Sequence, residues 1–274
     1  MSGLKVEKGS FILVNYTAWV LNGEEKVIDT TIEEVARENN IFRENSVYEP
    51  ELVIVGEGFI LKPVEEALIG LEEGAEKEII LEPEQAFGVK DPKNIKVLSA
   101  RELTRRGIIP RPGEEVEIGG KRGRIIRVGG GRVTIDFNHP YAGRKVKFNV
   151  KIEKILTEDS EKIKELFHRW FRGISRNDIE VTLKNNEVVL NLPPSILQYE
   201  GAYILANGFI RDVEKYFKDI KKVSLIENFI IERPSETEKS DETPSEAQSE
   251  AQTEEKSDTK APEKEVQESQ PQQQ

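Results

Sequence analysis

Alternation of apolar and polar positions predicts most of the strands in the first half of the chain. Apolar residues alternate or run together across 10–20, and Asn22-Gly23 follows as a hairpin turn signal, so two strands are expected there. Further strands are predicted at 51–55 and 77–81. The segment 148–155 alternates again, and its long apolar face favours pairing with the first sheet.

Two short helices are predicted between these strands. Thr31 and Glu34 have the spacing of a capping box, which would open a helix that ends near Asn40. Pro63 suits the first turn of a second helix, and Gly70 would end it. Each helix therefore lies in a connection between strands.

A glycine-rich stretch in the middle of the chain predicts a small antiparallel unit. The segment 114–136 contains two glycine turns, Gly119-Gly120 and the triplet at 129–131, with strand-like residues between and after them. The triplet lies between strands and opens no helix, so we interpret it as a hairpin turn rather than a phosphate-binding loop. A short helix is expected ahead of this unit, at 99–106.

The pattern changes to a helical period after Leu156. Apolar residues then follow the i, i+3, i+4, i+7, i+8 spacing of an amphipathic helix, at Ile163, Leu166, Phe167, Trp170 and Phe171. A hairpin turning at Asn185-Asn186 is predicted next. A helical region at 195–220, interrupted near Gly208, then precedes a last strand within 223–231. We expect an α+β unit here.

Charge is unevenly distributed along the chain. The 274 residues carry 40 Lys and Arg against 51 Asp and Glu, a net charge of -11. Residues 234–274 hold four basic and twelve acidic residues and no aromatic residue, so we expect a disordered acidic tail. Residues 89–135 hold twelve basic and five acidic residues, a net charge of +7. A basic island therefore lies within an acidic protein.

The residue inventory excludes several function classes. The absence of cysteine removes disulfides, thiol nucleophiles and thiolate metal sites. His139 and His168 are the only histidines, and we interpret His168 as a surface or packing residue, so we predict no metal and no cofactor. The motifs of serine hydrolases, zinc proteases and P-loop proteins do not occur. The first residues lack a charged-then-apolar leader, and no apolar run approaches the roughly 18 residues of a membrane span, so a cytoplasmic protein without a membrane partner is expected.

Five motifs, in order along the chain, make the sequence similar to one known family. They are Asn15-Tyr16-Thr17, Ile28-Asp29-Thr30-Thr31, VGEGFILKPVEEALIGL at 55–71, PEQAFG at 83–88 and NHPYAG at 138–143. The sequence resembles the FKBP-type peptidyl-prolyl cis-trans isomerases, specifically the microbial SlyD-like branch with an insert in the flap. The resemblance covers residues 1 to about 156. The remainder resembles the long archaeal members.

The resemblance implies the α+β fold class and a domain organisation. Residues 1–88 and 136–156 would form an FKBP-like antiparallel sheet wrapped on a short helix. Residues 89–135 would be a β-rich, chaperone-like insert, and 157–233 a separate C-terminal α+β domain. We expect the amphipathic stripe of that domain to join two copies in a homodimer, because a unit of about 75 residues buries little surface alone. The alternative is that the stripe packs on the domain's own strands.

The implied activity is isomerisation of X-Pro bonds in unfolded or partly folded polypeptides. Rotation needs no nucleophile, because it requires only the loss of amide resonance against a barrier of about 18–20 kcal/mol. A dry apolar pocket favours the less dipolar, twisted amide. The residues that the resemblance assigns to this pocket are Tyr16, Asp29, Ile60, Leu61, Val64, Phe87 and Phe148. Without the resemblance, Asp29 would be a turn acid and the others ordinary strand and core residues.

Two alternatives remain beside this interpretation. Phe87 stands where many relatives have tyrosine, and Ile28, Pro63 and Val64 also depart from the family pattern, which leaves open a scaffold with a decayed pocket. The basic residues of 89–135 leave open a nucleic-acid-binding module. That segment contains no Phe, Tyr or Trp for base stacking, so nucleic acid is not the expected partner.

Overall fold

A five-stranded antiparallel sheet is the first layer of the fold. The structure, a computed structural model, describes residues 3–229 and 231. The strands of this sheet are β1 (Phe11–Asn22), β2 (Glu24–Thr30), β3 (Glu51–Ile54), β4 (Glu76–Leu81) and β9 (Lys145–Leu156). One side of β1 pairs along its length with β9, and β9 pairs in turn with β4. The other side of β1 pairs with β2 and β3, so the strands that alternation predicts form one sheet.

Helix α2 (Lys62–Leu68) packs Val64 and Leu68 into the apolar cluster of this sheet. Pro63 lies in its first turn, where the missing N–H of proline leaves no helical hydrogen bond unmade. Gly70 follows the helix with a φ of +86°, a conformation that glycine adopts without strain. The second predicted helix is therefore confirmed.

Helix α1 (Glu33–Glu38) forms where predicted, but the capping box does not. Its N-cap residue is Ile32, and no side chain caps the helix. The Thr31 hydroxyl instead accepts the backbone N–H of Tyr16 at 2.9 Å and donates to Oδ1 of Asn15 at 2.9 Å. The capping-box prediction is wrong because hydrogen bonds to β1 occupy the threonine that would have capped the helix.

The residues between β4 and β9 form a four-stranded antiparallel sheet of their own, in the order β5-β8-β7-β6. Its elements are β5 (Ile95–Ser99), α3 (Ala100–Arg105), β6 (Glu115–Ile118), β7 (Lys121–Gly129) and β8 (Arg132–Asp136). Gly130 and Gly131, with φ of +58° and +70°, make the tight turn between β7 and β8, so the hairpin interpretation is confirmed. Strand β5 was not predicted. A small separate core holds this sheet together, formed by Leu103, Val116, Ile125, Val133 and Ile135.

The last part of the described chain combines a three-stranded sheet with two helices. Its elements are α4 (Asp159–Trp170), β10 (Glu180–Lys184), β11 (Glu187–Leu192), α5 (Ala202–Tyr216) and β12 (Lys222–Glu227). Asn185 and Asn186 both have positive φ and form the predicted hairpin turn. Strand β12 pairs with β11 in parallel, and α5 lies between them along the chain. The α+β prediction is confirmed.

The predicted interruption near Gly208 is wrong. Helix α5 runs through this residue without a break, and the chain instead interrupts the helical region at Gly201, which has a φ of +72°. A Cβ atom at position 208 would lie 2.6 Å from the ring of Trp170 on α4. Gly208 therefore allows α4 and α5 to pack closely, and it does not break the helix as predicted.

The apolar stripe of α4 is buried within the chain and cannot be the dimer face that the sequence analysis expected. Ile163, Leu166, Phe167 and Phe171 are all fully buried. They pack in one cluster with the domain's own strand β11, as the alternative expected, and also with side chains of the first sheet: Val188, Leu190, Leu192, Phe11, Leu52, Ile54 and Leu156. This α+β domain therefore shares a core with the first sheet, and the described chain through Phe229 forms one compact unit.

Some expectations concern residues or boundaries beyond these observations. The predicted acidic tail, 234–274, lies outside the described residues. The boundaries at 88, 135 and 156 stay predictions. Among the described residues, no helix is long and apolar enough to cross a membrane.

Candidate active site

Six of the seven predicted pocket residues belong to one apolar cluster. Strands β1 and β9, which pair with each other, supply Tyr16 and Phe148, whose ring centroids are 6.1 Å apart. The approach to α2 and its first turn supply Ile60, Leu61 and Val64. The loop after β4 supplies Phe87. Residues from four separate parts of the sequence are therefore brought together.

The seventh residue, Asp29, forms a polar edge on this cluster. It lies near the end of β2 and is exposed, and its Oδ2 accepts a hydrogen bond from the Tyr16 hydroxyl at 2.9 Å. Burial, followed by the charges of Glu51 and Asp29, raises the pKa of the Tyr16 phenol, whereas Arg172 acts in the opposite direction. The phenol therefore stays protonated and holds the Asp29 carboxylate in a fixed position.

Glu65 organises the loop that carries Ile60. Its carboxylate is fully buried and accepts three backbone N–H groups, from Gly56 at 2.7 Å, Gly58 at 3.2 Å and Ile60 at 3.1 Å. A buried carboxylate needs such donors to replace its hydration. This role was not predicted from the sequence, although a glutamate between the apolar Val64 and Leu68 on a short helix was a visible signal.

Three aromatic side chains stack beside the cluster. The Phe87 and His139 rings are nearly parallel with centroids 4.4 Å apart, and Tyr141 lies 5.6 Å from Phe87. His139 and Tyr141 belong to the predicted 138–143 motif but were not assigned to the site. Phe87 therefore contributes an apolar face, supported by rings from a segment about 50 residues later in the sequence.

An open cleft of about 670 Å³ lies against these rings. Asp29 and Phe87 line it, whereas the other five predicted residues lie in the apolar cluster and do not. The opposite wall was not predicted from the sequence. It comes from the segment 40–51 and includes Phe42 and Tyr48, whose rings stack with centroids 5.4 Å apart. The charged side chains of the cleft are Lys26, Asp29, Arg43, Glu51 and Arg172.

Comparison with known proteins places the chain in a family. Residues 3–103 match the family model described as FKBP-type peptidyl-prolyl cis-trans isomerase, 96–141 match the IF domain of FKBP26, and 159–230 match the C-terminal domain of FKBP26. The short-type peptidyl-prolyl cis-trans isomerase of Methanocaldococcus jannaschii is 37% identical over 156 residues, which cover 57% of this chain and 98% of the relative. The chain belongs to the FKBP-type peptidyl-prolyl cis-trans isomerases.

A bacterial relative supports the same assignment. The FKBP-type 16 kDa peptidyl-prolyl cis-trans isomerase of Escherichia coli is 31% identical over 161 residues, 55% of this chain and 93% of the relative. The predicted FKBP-type family is thus confirmed. The described residues contain no group of three His, Asp or Glu side chains placed to hold a metal ion.

The insert of this FKBP-type isomerase leaves and re-enters the first sheet through a hydrogen-bonded hinge beside the site. Asp136, at the end of β8, accepts from Lys90 Nζ at 3.1 Å and from the backbone N–H of Asn138 at 2.9 Å. Burial alone would raise the pKa of Asp136, but the bonds from Asn138 and Lys90 outweigh it and hold that pKa below its usual value. The segment that enters the insert and the segment that leaves it are therefore hydrogen-bonded to each other next to His139.

Proposed function

We propose that the apolar cluster and the adjoining cleft bind an X-Pro unit and isomerise it by removing water from the prolyl amide. The observation that carries the proposal is the convergence of Tyr16, Ile60, Leu61, Val64, Phe87 and Phe148 in one cluster. A twisted amide is less dipolar than a planar one, so loss of hydration costs the transition state less than the ground state. This lowers a barrier of about 18–20 kcal/mol without any covalent step.

Asp29 and Tyr16 provide the polar edge of the proposed pocket. The buried Tyr16 ring forms part of the wall of this pocket, and the Tyr16 hydroxyl holds the Asp29 carboxylate at the entrance of the pocket. Phe87 has no hydroxyl and acts only as a stacked apolar wall. An apolar residue before proline is the preferred substrate, since the side chains nearest the pocket are apolar.

Replacing Asp29 by alanine is expected to lower kcat/KM for a short X-Pro peptide by about tenfold to a hundredfold. A hydrogen bond to a charged group contributes about 1.5–3 kcal/mol, and each 1.4 kcal/mol is a factor of ten. Asp29→Asn keeps an acceptor for Tyr16 and should lose less. A protease-coupled isomerisation assay measures both variants.

Glu24→Ala is the matched control for Asp29, because it removes an exposed carboxylate from the same strand. Thermal unfolding of each variant shows whether the fold is retained. Phe148→Ala is a poorer test, since Phe148 is nearly buried and such a truncation costs about 3–5 kcal/mol of stability. Wild-type turnover by Asp29→Ala would contradict the proposed polar edge.

We further propose that the insert, residues 89–135, captures unfolded polypeptide as a chaperone-like unit. Its own core is small, and several apolar side chains remain exposed around it: Val89, Val97, Ile109, Ile126 and Val128. Exposed apolar surface of this kind binds apolar segments of unfolded chains. The hinge at Asp136 would hold such a segment near the proposed pocket.

A homodimer stays part of the proposal, with a different surface from the one first expected. Leu197, Tyr203, Ile204 and Ile210 are exposed on and beside α5, and Tyr203 and Ile210 share a helix face. We expect sedimentation equilibrium of the full chain to give a dimer, and Tyr203→Asp to give a monomer. Val97→Asp, on the insert, is the control. A monomeric wild-type chain at tens of micromolar would contradict the dimer.

A further inference from the structure

The segment 49–51, which carries the cleft residue Glu51, is held by a partly buried ionic cluster on α4 and the loop that follows it. Glu49 Oε1 lies 2.6 Å from Nε2 of His168, and its other oxygen pairs with Arg176. Arg176 also donates to the carbonyl of Pro50 at 2.9 Å and to Glu165 at 2.9 Å. Burial alone would raise the pKa of Glu49, but His168, Arg176 and Arg172 outweigh this effect and hold that pKa below its usual value. The C-terminal domain therefore fixes one side of the cleft.

Arg172, in the same loop after α4, reaches the cleft itself. Its Nη2 lies 2.6 Å from Oε1 of Glu51, and its side chain remains 39% exposed. A guanidinium carries five N–H donors, and within the described residues its only ion pair is the one with Glu51. Donors thus remain for a group entering the cleft that it lines.

The charges around the cleft favour an anionic group. Lys26, Arg43 and Arg172 face two carboxylates, those of Asp29 and Glu51, and the Asp29 carboxylate already accepts a hydrogen bond from Tyr16. Arginine binds a carboxylate with two parallel N–H donors, which gives direction as well as attraction. An acidic side chain in a bound polypeptide would find such a donor pair beside the proposed prolyl pocket.

We propose that Arg172 is a specificity-determining residue, which binds an acidic side chain of the substrate close to the X-Pro unit. This rests on the proposed function, because it assumes that the X-Pro unit occupies the pocket beside this cleft. The C-terminal domain thereby contributes directly to substrate choice. The contact does not involve the rotating bond, so it lowers KM and leaves kcat unchanged.

The test uses the full chain and two series of short Leu-Pro peptides. One series carries Glu, Gln or Lys before the Leu-Pro unit, and the other carries the same residues after it. Rates come from NMR exchange spectroscopy, which avoids the sequence preference of a coupling protease. In at least one series we expect kcat/KM for the Glu peptide to exceed that for the Lys peptide by about threefold to fivefold, as for a partly exposed ion pair.

Variants separate a contact with Arg172 from the net charge of the cleft. Arg172→Gln should bring the ratio of kcat/KM for Glu and Lys peptides near one, because KM for the Glu peptide rises. Arg172→Lys keeps the charge and should restore part of the preference for Glu. The double variant Glu51→Gln/Arg172→Gln keeps the net charge of the pair and should still lose the preference. Arg211→Gln, which removes an exposed arginine from α5, should behave as wild type.

Raising the ionic strength from about 0.1 M to about 1 M should reduce the ratio of kcat/KM for Glu and Lys peptides in the wild type, because the Debye length shortens from about 10 Å to about 3 Å.

Four results would overturn the inference, three of them seen in the variants and the fourth in the wild type. The first is an unchanged Glu-to-Lys ratio in Arg172→Gln. The second is a retained ratio in the double variant, which would assign the preference to cleft charge alone. The third is an equal loss of kcat for Glu, Gln and Lys peptides, which would give Arg172 only a structural role. The fourth is wild-type protein that turns over the Gln peptides but has equal kcat/KM for Glu and Lys peptides, which would overturn only this inference. Wild-type protein that turns over no peptide would instead overturn the proposed function.

Discussion

Deleting the insert is expected to slow the catalysed refolding of a proline-limited protein by about a hundredfold, while turnover of a short peptide changes by less than about threefold. A tethered capture site raises the local concentration of substrate and increases avidity by a factor on the order of 100 or more. A short peptide engages only the pocket and gains nothing from capture. The two substrates therefore report separately on capture and catalysis.

The structure favours a clean deletion of 89–135. Lys90 Nζ lies 3.1 Å from Oδ2 of Asp136, so the chain enters and leaves the insert at neighbouring points. The core of the insert is separate from that of the first sheet, and its removal uncovers little of the latter. A short glycine-rich loop can join the ends.

Val97→Ser/Ile109→Ser is the matched control for the deletion, because it keeps the insert and removes only exposed apolar groups. It should reproduce most of the loss on the protein substrate. Equal loss on peptide and protein would mean that the insert only shapes the pocket. Salt-sensitive binding of the insert to RNA, without binding to unfolded protein, would favour the nucleic-acid alternative.

The sequence predicts the strands well because alternation is a local signal, and the family motifs predict side chains that meet in one apolar cluster, whose role as a prolyl pocket stays a prediction. The alternation of β1 predicts a strand, and ordered motifs carry Tyr16 and Phe148 onto strands that pair with each other. Ile60, Leu61 and Val64 follow from one continuous motif that ends in α2. The pattern alone predicts only that these residues lie on strands or in the core, and the family motifs supply the expectation that they lie together.

The rest depends on contacts between distant residues, which a single pattern does not contain. The stripe on α4 correctly predicts a buried face, but periodicity does not say whether a second copy or the domain's own strands cover it. The domain's own strand β11 does so together with the first sheet, which no pattern predicted. Glu49 and Arg176 are 127 positions apart, so the sequence around either residue does not indicate that the two form an ion pair. Arg172 was missed for the same reason.

Replacing Glu65 by alanine is expected to destabilise the fold by about 2–4 kcal/mol and to lower kcat/KM by at least about tenfold. The change leaves the backbone N–H groups of Gly56, Gly58 and Ile60 without their acceptor, and an unsatisfied buried donor costs about 1–3 kcal/mol. Solvent reaches the two exposed glycines and limits the total. Urea unfolding measures the stability, and peptide turnover measures the effect on the loop that carries Ile60.

The adjacent Glu66 supplies the control for this prediction. Glu66 is exposed, and its ion pair with Lys62, at 3.8 Å, is a surface pair worth about 0.3–0.5 kcal/mol. Glu66→Ala should therefore cost no more than that and leave turnover unchanged. Glu65→Gln keeps one acceptor oxygen but turns an amide donor toward the N–H groups, so it should fall between the two. Equal stability of the two alanine variants would mean that water satisfies the loop and that Glu65 does not position Ile60.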